Sequence, residues 1–256
     1  MRQRSVDEFT DPRDSPELFA RIARRYDVMN RLMSLGLDRR WRKLAADALA
    51  LPPQGAVLDV GAGTGDMMRA LRRRWPDATV IGVDPTRAMM QIGYEKLGTQ
   101  AGSPRSSGPR TSRIGWAEAD GLHLPFANGR FDAAMSAFVL RNVSDVEQAL
   151  AEQRRVVSDG GRVGCLEMSW PRTPLLGTLF RFYFADLMPR ITGLLSGQPA
   201  AYRYLPRSVQ RFQTPAELTQ AMESVGLREV RCRKLAFGTV TLHVGIRTVE
   251  EGETLT

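Results

Sequence analysis

A carboxylate and three glycines alternate through one short stretch, Val57-Leu58-Asp59-Val60-Gly61-Ala62-Gly63-Thr64-Gly65-Asp66. An apolar run leads into it and a helical pattern, Met67 to Arg74, follows. Strand, glycine turn and helix form the opening unit of a nucleotide-binding α/β sheet. The glycines let the backbone bend tightly and approach a ligand with no Cβ between them. A dinucleotide loop reads G-x-G-x-x-G and seats a pyrophosphate on the helix N-terminus. Here the spacing is D-x-G-x-G-x-G. A carboxylate heading the turn repels a diphosphate and suits a cation.

S-adenosylmethionine (SAM) carries a sulfonium and an ammonium and no phosphate. Asp59 is therefore expected to meet the ammonium, directly or through water, with Gly61 and Gly63 leaving room for the amino acid portion. Asp66 stands at the helix start, where negative charge is favoured. The plainer reading of this stretch is a tight turn with no ligand, and the next run argues against it. Thr79-Val80-Ile81-Gly82-Val83-Asp84 reads as a second strand, and Asp84 ends it nineteen residues after Gly65. An acid at that distance accepts from ribose hydroxyls; Asp84 also suits the N-cap of a helix over Thr86 to Leu97. A third strand ends near Asp120, placed to accept from an adenine amino group, with Gly121 beside it permitting close approach. Phe131 to Ala137 reads as the fourth strand, and Arg141-Asn142 lies just beyond its carboxyl end, where open α/β sheets bind ligands. Tyr26 and His123 are further crevice candidates. A loop histidine is more often merely solvated, and His243, in a strand, reads as structural.

The positioning elements follow from periodicity. Ser15-Pro16 reads as an N-cap with proline at the first helical position, and Leu18, Ile22, Tyr26, Met29 and Met33 share one helix face. A second helix runs from Asp38 to Ala50. Asp145 to Val157 is a helix, Ser158 to Gly161 a turn, and Arg162 to Met168 the fifth strand. Thr214-Pro215-x-Glu217 is a capping box, and its helix stops at Gly226. Leu227 to Leu235 and Thr239 to Arg247 close the sheet as an antiparallel pair. The expectation is one α/β domain over 1–256, with seven strands, a helical cover over 14–50 and an aromatic-rich lid over 171–213. Residues 98–113, rich in Gly, Ser and Pro, read as a long flexible loop.

The chain has 256 residues, 43% of them hydrophobic, and a net charge of +8 carried mostly by arginine. Such a surface suits nucleic acid, an anionic membrane or an acidic substrate, but no RNA-reading motif is present, so no nucleic-acid partner is expected. The two cysteines lie in apolar runs without metal spacing. They read as buried thiols in a reducing cytoplasm, and no metal is expected. Neither a signal peptide nor a membrane-spanning helix is expected.

Several stretches beyond the glycine loop carry a family likeness: Tyr26-Asp27-Val28-Met29-Asn30, Met33-Ser34-Leu35-Gly36, Trp41, Leu124-Pro125-Phe126, Leu140-Arg141-Asn142-Val143, Tyr202-Arg203-Tyr204-Leu205 and His243-x-Gly245. With them the chain resembles, over about residues 15–247, the ubiquinone/menaquinone biosynthesis C-methyltransferases, the demethylmenaquinone methyltransferase group. The resemblance implies a Rossmann-like SAM-dependent methyltransferase fold and methylation of a ring carbon of a polyprenylated quinol. It implies that Thr64, Asp84 and the pair Asp120-Gly121 hold SAM, and that Arg141, Asn142 and Tyr26 line the reacting ring. The family usually has a serine where Ala137 stands, so one polar contact is missing here.

An aromatic carbon is a weak nucleophile unless its ring is electron-rich, so the reduced quinol is the expected substrate. Arginine stays protonated. Arg141 is therefore expected to stabilise the quinolate or to polarise a water that carries the proton away. Residues 174–205 and the N-terminal helices would form an apolar groove for the tail, and the basic charge would hold the protein against the inner face of a membrane. Demethylmenaquinol is favoured over the ubiquinone-pathway benzoquinol because no mitochondrial targeting segment is seen. Another small-molecule methyltransferase, an RNA-modifying protein and a non-catalytic scaffold are the competing readings, and a homodimer is left open.

Overall fold

The computed structural model describes residues 15–98, 114–171, 174–188 and 206–248. Runs of small and β-branched apolar residues form strands β1 (Ala56–Val60), β2 (Thr79–Asp84), β3 (Ile114–Glu118), β4 (Phe131–Ala137), β5 (Val157–Met168), β6 (Leu227–Leu235) and β7 (Val240–Arg247). They make one sheet in the order β3-β2-β1-β4-β5-β7-β6. The first five strands pair in parallel, and β7 enters antiparallel between β5 and β6. The chain moves outward from β1 to β2 and β3, then crosses to β4 on the other side. That reversal opens a crevice at the carboxyl ends of β1 and β4.

Both faces of the sheet are covered, which is why the central strands read as nearly unbroken apolar runs. Alternate residues serve opposite cores. Val57, Val80, Met135 and Leu166 join a core with Ala45 and Leu49 near the end of α2 (Asp38–Ala48), with Met68 and Leu71 of α3 (Asp66–Arg74), and with Met90 of α4 (Arg87–Leu97). Leu58, Val83, Ala134 and Cys165 join the other, with Leu150 of α5 (Val146–Val156). Helix α1 (Ser15–Met33) stands apart from both, with its own apolar cluster of Leu18, Ile22 and Met29. Tyr26 and Met33 flank that cluster, as the spacing predicts. Helix α6 (Pro174–Arg181) runs into a wider turn over Phe182–Leu187, and a short helix α7 covers 206–211. The capping box of Thr214 and Glu217 starts α8 (Pro215–Ser224), whose Leu218 and Met222 also enter the second core.

Three expectations need correction. Ser158 to Gly161 is no turn between elements; it lies inside β5, which begins at Val157. The register jumps there, from Phe131 against Val157 to Ala133 against Arg162, so the extra residues leave as a bulge. Polar turn residues mark a bulge as readily as a loop end. Helix α2 stops at Ala48, two residues early, because Ala50 takes a positive φ before the prolines. Cys232 is exposed on the edge strand β6, whereas Cys165 is buried; β6 is buried only at its ends, Leu227 and Leu235, and exposed through its middle apart from the half-buried Val230. The loop 98–113 lies outside the described residues apart from Gly98, and so does Tyr202-Arg203-Tyr204-Leu205.

The bulge also braces the crevice from below. A Cβ on Gly161 would sit 2.6 Å from the Asp132 carbonyl and 2.8 Å from that of Ser158. Asp132 in turn accepts from the Ala56 amide, which starts β1. Gly161→Ala must therefore push backbone apart, and an overpacked site of this kind costs about 1–3 kcal/mol. Chemical denaturation is expected to show that loss, with no change in slope.

Candidate active site

The glycine loop folds back over β2. The amides of Gly61 and Ala62 both donate to the Val83 carbonyl at 2.9 Å. Gly61 has a φ of 72°, and a Cβ on it would lie 2.3 Å from Val139. The amide of Gly63 donates to Asp84 Oδ2 and that of Thr86 to Asp84 Oδ1, each at 2.8 Å. The Thr86 side chain bonds the same carboxylate, whose two oxygens together still keep acceptor capacity for a further donor. Burial raises the Asp84 carboxyl, and these amides oppose it.

Gly61, Gly63, Asp84, Asp120, Gly121, Asn142 and Tyr26 line one cavity. Ala137 lines it too and offers no polar group there. Asp120 spends one oxygen on the Leu122 amide, 3.0 Å away. Asp59 and Thr64 lie outside that lining. Thr64 donates to Asp27 of α1 at 2.5 Å. Asp59 is wholly buried on β1, and neither of its carboxylate oxygens has a well-formed hydrogen bond. Burial pushes its carboxyl up to about 8, against the pull of the Arg42 charge. A buried carboxylate without a partner is costly and sheds its charge unless a cation arrives.

A second cavity, mostly apolar, adjoins the first. Met33, Trp41, Met168, Phe180, Tyr183 and Phe184 line it, and Arg141 enters its wall. Tyr26 and Phe138 border both cavities. Phe138 has a φ of 62°, a left-handed conformation that a bulky residue rarely adopts. Its ring lies 5.2 Å from the Arg42 guanidinium carbon and 5.8 Å from that of Arg141. Cations at such distances are attracted to a ring face.

Arg141 is almost fully buried and pairs with Glu167 at 2.8 Å. The other oxygen of Glu167 accepts from the Leu140 amide at 2.7 Å. One carboxylate therefore fixes both the turn Leu140–Asn142 and the guanidinium it presents. Burial raises the Glu167 carboxyl, with Arg141 opposing. The sequence reading missed Glu167, yet a signal existed: an acid ends the apolar run of β5 just as Asp84 ends β2. It also missed Asp27 and Lys96. Lys96 on α4 donates to Asp27 at 2.6 Å and to Asp66 at 2.8 Å, so α1 is tied across the glycine loop. Burial would raise Asp66, but Lys96 and Arg42 outweigh it and hold its carboxyl below the usual range. His123 is exposed and lines neither cavity. His243 is buried with Nε2 2.9 Å from the Pro215 carbonyl oxygen, a structural place. Among the described residues no group of acids, histidines and cysteines could hold a metal ion.

The model of the ubiE/COQ5 methyltransferase family matches residues 9–247. The chain is 43% identical over 230 residues to the demethylmenaquinone methyltransferase of Deinococcus radiodurans, covering 90% of each chain. It is 43% identical to the ubiquinone/menaquinone biosynthesis C-methyltransferase of Syntrophotalea carbinolica, covering 94% of this chain and 98% of that one. A solved SAM-dependent methyltransferase from Thermotoga maritima shares the fold at 19% identity, with a TM-score of 0.55 over 91% of this chain and 99% of that chain.

Two outcomes are expected. Because the folded Asp59 binds its proton more tightly than the unfolded chain does, its favourable contribution is complete below the ordinary value of 3.8 and is lost as pH rises through about 8. Asp59→Asn removes that dependence, so without ligand its melting temperature falls less between pH 5 and 8 than that of the unaltered chain. Lys96→Met deletes charge-assisted bonds worth about 1.5–3 kcal/mol each, and trypsin is expected to cut α1 several-fold faster in that variant.

Proposed function

The chain belongs to the ubiE/COQ5 methyltransferase family, and on that premise we propose that it methylates a ring carbon of a polyprenylated quinol, converting demethylmenaquinol to menaquinol with SAM as donor. The observation that carries this reading is the pair of adjoining cavities with Tyr26 and Phe138 as their common wall. One is small-residue and acid-lined; the other is apolar and contains Arg141.

The residues of the first cavity fit SAM. The backbone cradle at Gly61 and Gly63 leaves no room for a Cβ or disfavours one by its φ. Asp84 keeps acceptor capacity for a ribose, and Asp59, buried behind the cavity and neutral without ligand, would regain its negative charge when an ammonium approaches. Bound SAM would supply an electrophilic methyl group on a sulfonium, open to in-line displacement by carbon. The chain's own residues do the rest. Apolar side chains hold the ring and its tail and keep bulk water away, so the ring approaches the donor in one orientation. The ring hydroxyl beside the reacting carbon loses its proton to water, and the charge left on oxygen faces Arg141. Glu167 occupies one guanidinium nitrogen and leaves the others as donors. Fixed donors aimed at developing charge lower the barrier without reorganising. As the carbon–methyl bond forms the methyl–sulfur bond breaks, leaving a neutral thioether; the ring carbon then gives up its proton to water, aromaticity returns, and the ring oxygen takes a proton back from water. Residues 14–50 act as cover and 171–213 as lid of this one domain. The work is done at a membrane surface, because the tail resides there.

Incubation with SAM and reduced demethylmenaquinone, followed by mass spectrometry, is expected to show the gain of one methyl. Arg141→Gln is expected to lower kcat by about 100- to 1,000-fold while SAM affinity stays within twofold. A normal rate in that variant removes the role given to Arg141; no methyl gain in the unaltered protein removes the function.

A further inference from the structure

Two loops frame the outer rim of the apolar groove, and both present a large apolar side chain to solvent. At the end of α1, the Gly36 amide donates to the Arg31 carbonyl and the Leu35 amide to that of Leu32. This is a Schellman stop, in which the left-handed position is usually glycine. Here that position is Leu35, with a φ of 51° and 72% exposure. On the same cavity's lining, between β6 and β7, Ala236, Phe237 and Gly238 all have positive φ, and Phe237 is 91% exposed. Neither residue suits its backbone and neither gains burial in return. Strain held at two sites on one cavity lining points to use rather than to folding. Leu37, 42% exposed, stands beside Leu35. Exposed cations flank the rim: Arg39 and Arg40 follow Leu37, and Lys234 precedes the Phe237 loop.

We propose that this rim is the membrane-docking face: Leu35, Leu37 and Phe237 enter the headgroup layer of an anionic bilayer, and Arg39, Arg40 and Lys234 meet its lipid phosphates. Apolar residues that insert, ringed by cations, are the composition of an interfacial anchor. The groove then opens directly onto the lipid, so that a quinol enters ring-first while its tail stays among acyl chains. This rests on the polyprenyl-quinol reading for its choice of lipid as partner.

The test is flotation with phosphatidylglycerol vesicles and, separately, phosphatidylcholine vesicles at low salt. The unaltered chain is expected to float with the former, weakly with the latter, and to be released by 0.5 M salt, at which the screening length falls to about 4 Å. Leu35→Ser with Phe237→Ser is expected to lower the floated fraction at least fivefold. Phe237→Gly is expected to lower it as well while keeping or raising the melting temperature, because glycine relieves the strained φ. That opposite movement separates docking from misfolding. If the unaltered chain does not float, or the double variant floats as it does, the proposal fails. If instead the chain sediments as a dimer that the double variant dissolves, with no vesicle binding, the rim is a self-interface and the proposal fails. Methylation of a soluble short-tailed quinol by the unaltered chain reports on the function independently of docking.

Discussion

A charge removed from water must meet an opposite charge or be neutralised by gaining or losing a proton, and the walls of this site obey that constraint. Arg42 is buried against Asp38, and Arg141 against Glu167. Lys96 stands between Asp27 and Asp66. Asp59 is the extreme case: wholly buried, with no side-chain partner and only the field of Arg42 and the Met68 backbone in opposition, it holds its proton. The position that heads the glycine loop is thus the one place where an incoming cation gains most. Its cost without ligand is met by the two cores, which pack apolar side chains on each face of the sheet.

The same constraint separates the two cavities. Charged and backbone groups gather at the carboxyl ends of β1 and β2, beside the crevice where the strand order reverses between β1 and β4, while the groove beyond β4 is aromatic. Arg141 can sit in that aromatic wall because Glu167 compensates it. Removing only one member would leave the other buried and unpaired, which is far worse than never having the pair. The turn Leu140–Asn142 is therefore fixed by electrostatics as much as by packing.

Much of this was legible in the sequence because the signals are local. The glycine loop, the acid that ends β2 and the capping box of α8 are each written within ten residues, and they fell where expected. The motif that places Arg141 and Asn142 beyond β4 was equally readable. What escaped depends on distance along the chain. Glu167 meets Arg141 across 26 residues, and Lys96 meets Asp27 across 69. No periodicity encodes such partners. The bulge at Gly160-Gly161 was misread for a different reason: local composition shows that the backbone deviates, not whether the strand resumes its pairing afterwards. The buried state of Asp59 also needed the fold, since a loop-proximal acid is ordinarily solvated.

The tether from Lys96 to Asp27 bears on one chamber more directly than on the other. Pro16, Phe19 and Tyr26 of α1 line the polar chamber, and the ionic links hold that helix in place. Among the described residues, the apolar chamber reaches a margin where Leu35 and Phe237 stand in solvent. A helix fastened by charge, outside the two sheet cores, is thereby part of the polar chamber's wall, so ionic strength acts on the shape of that chamber.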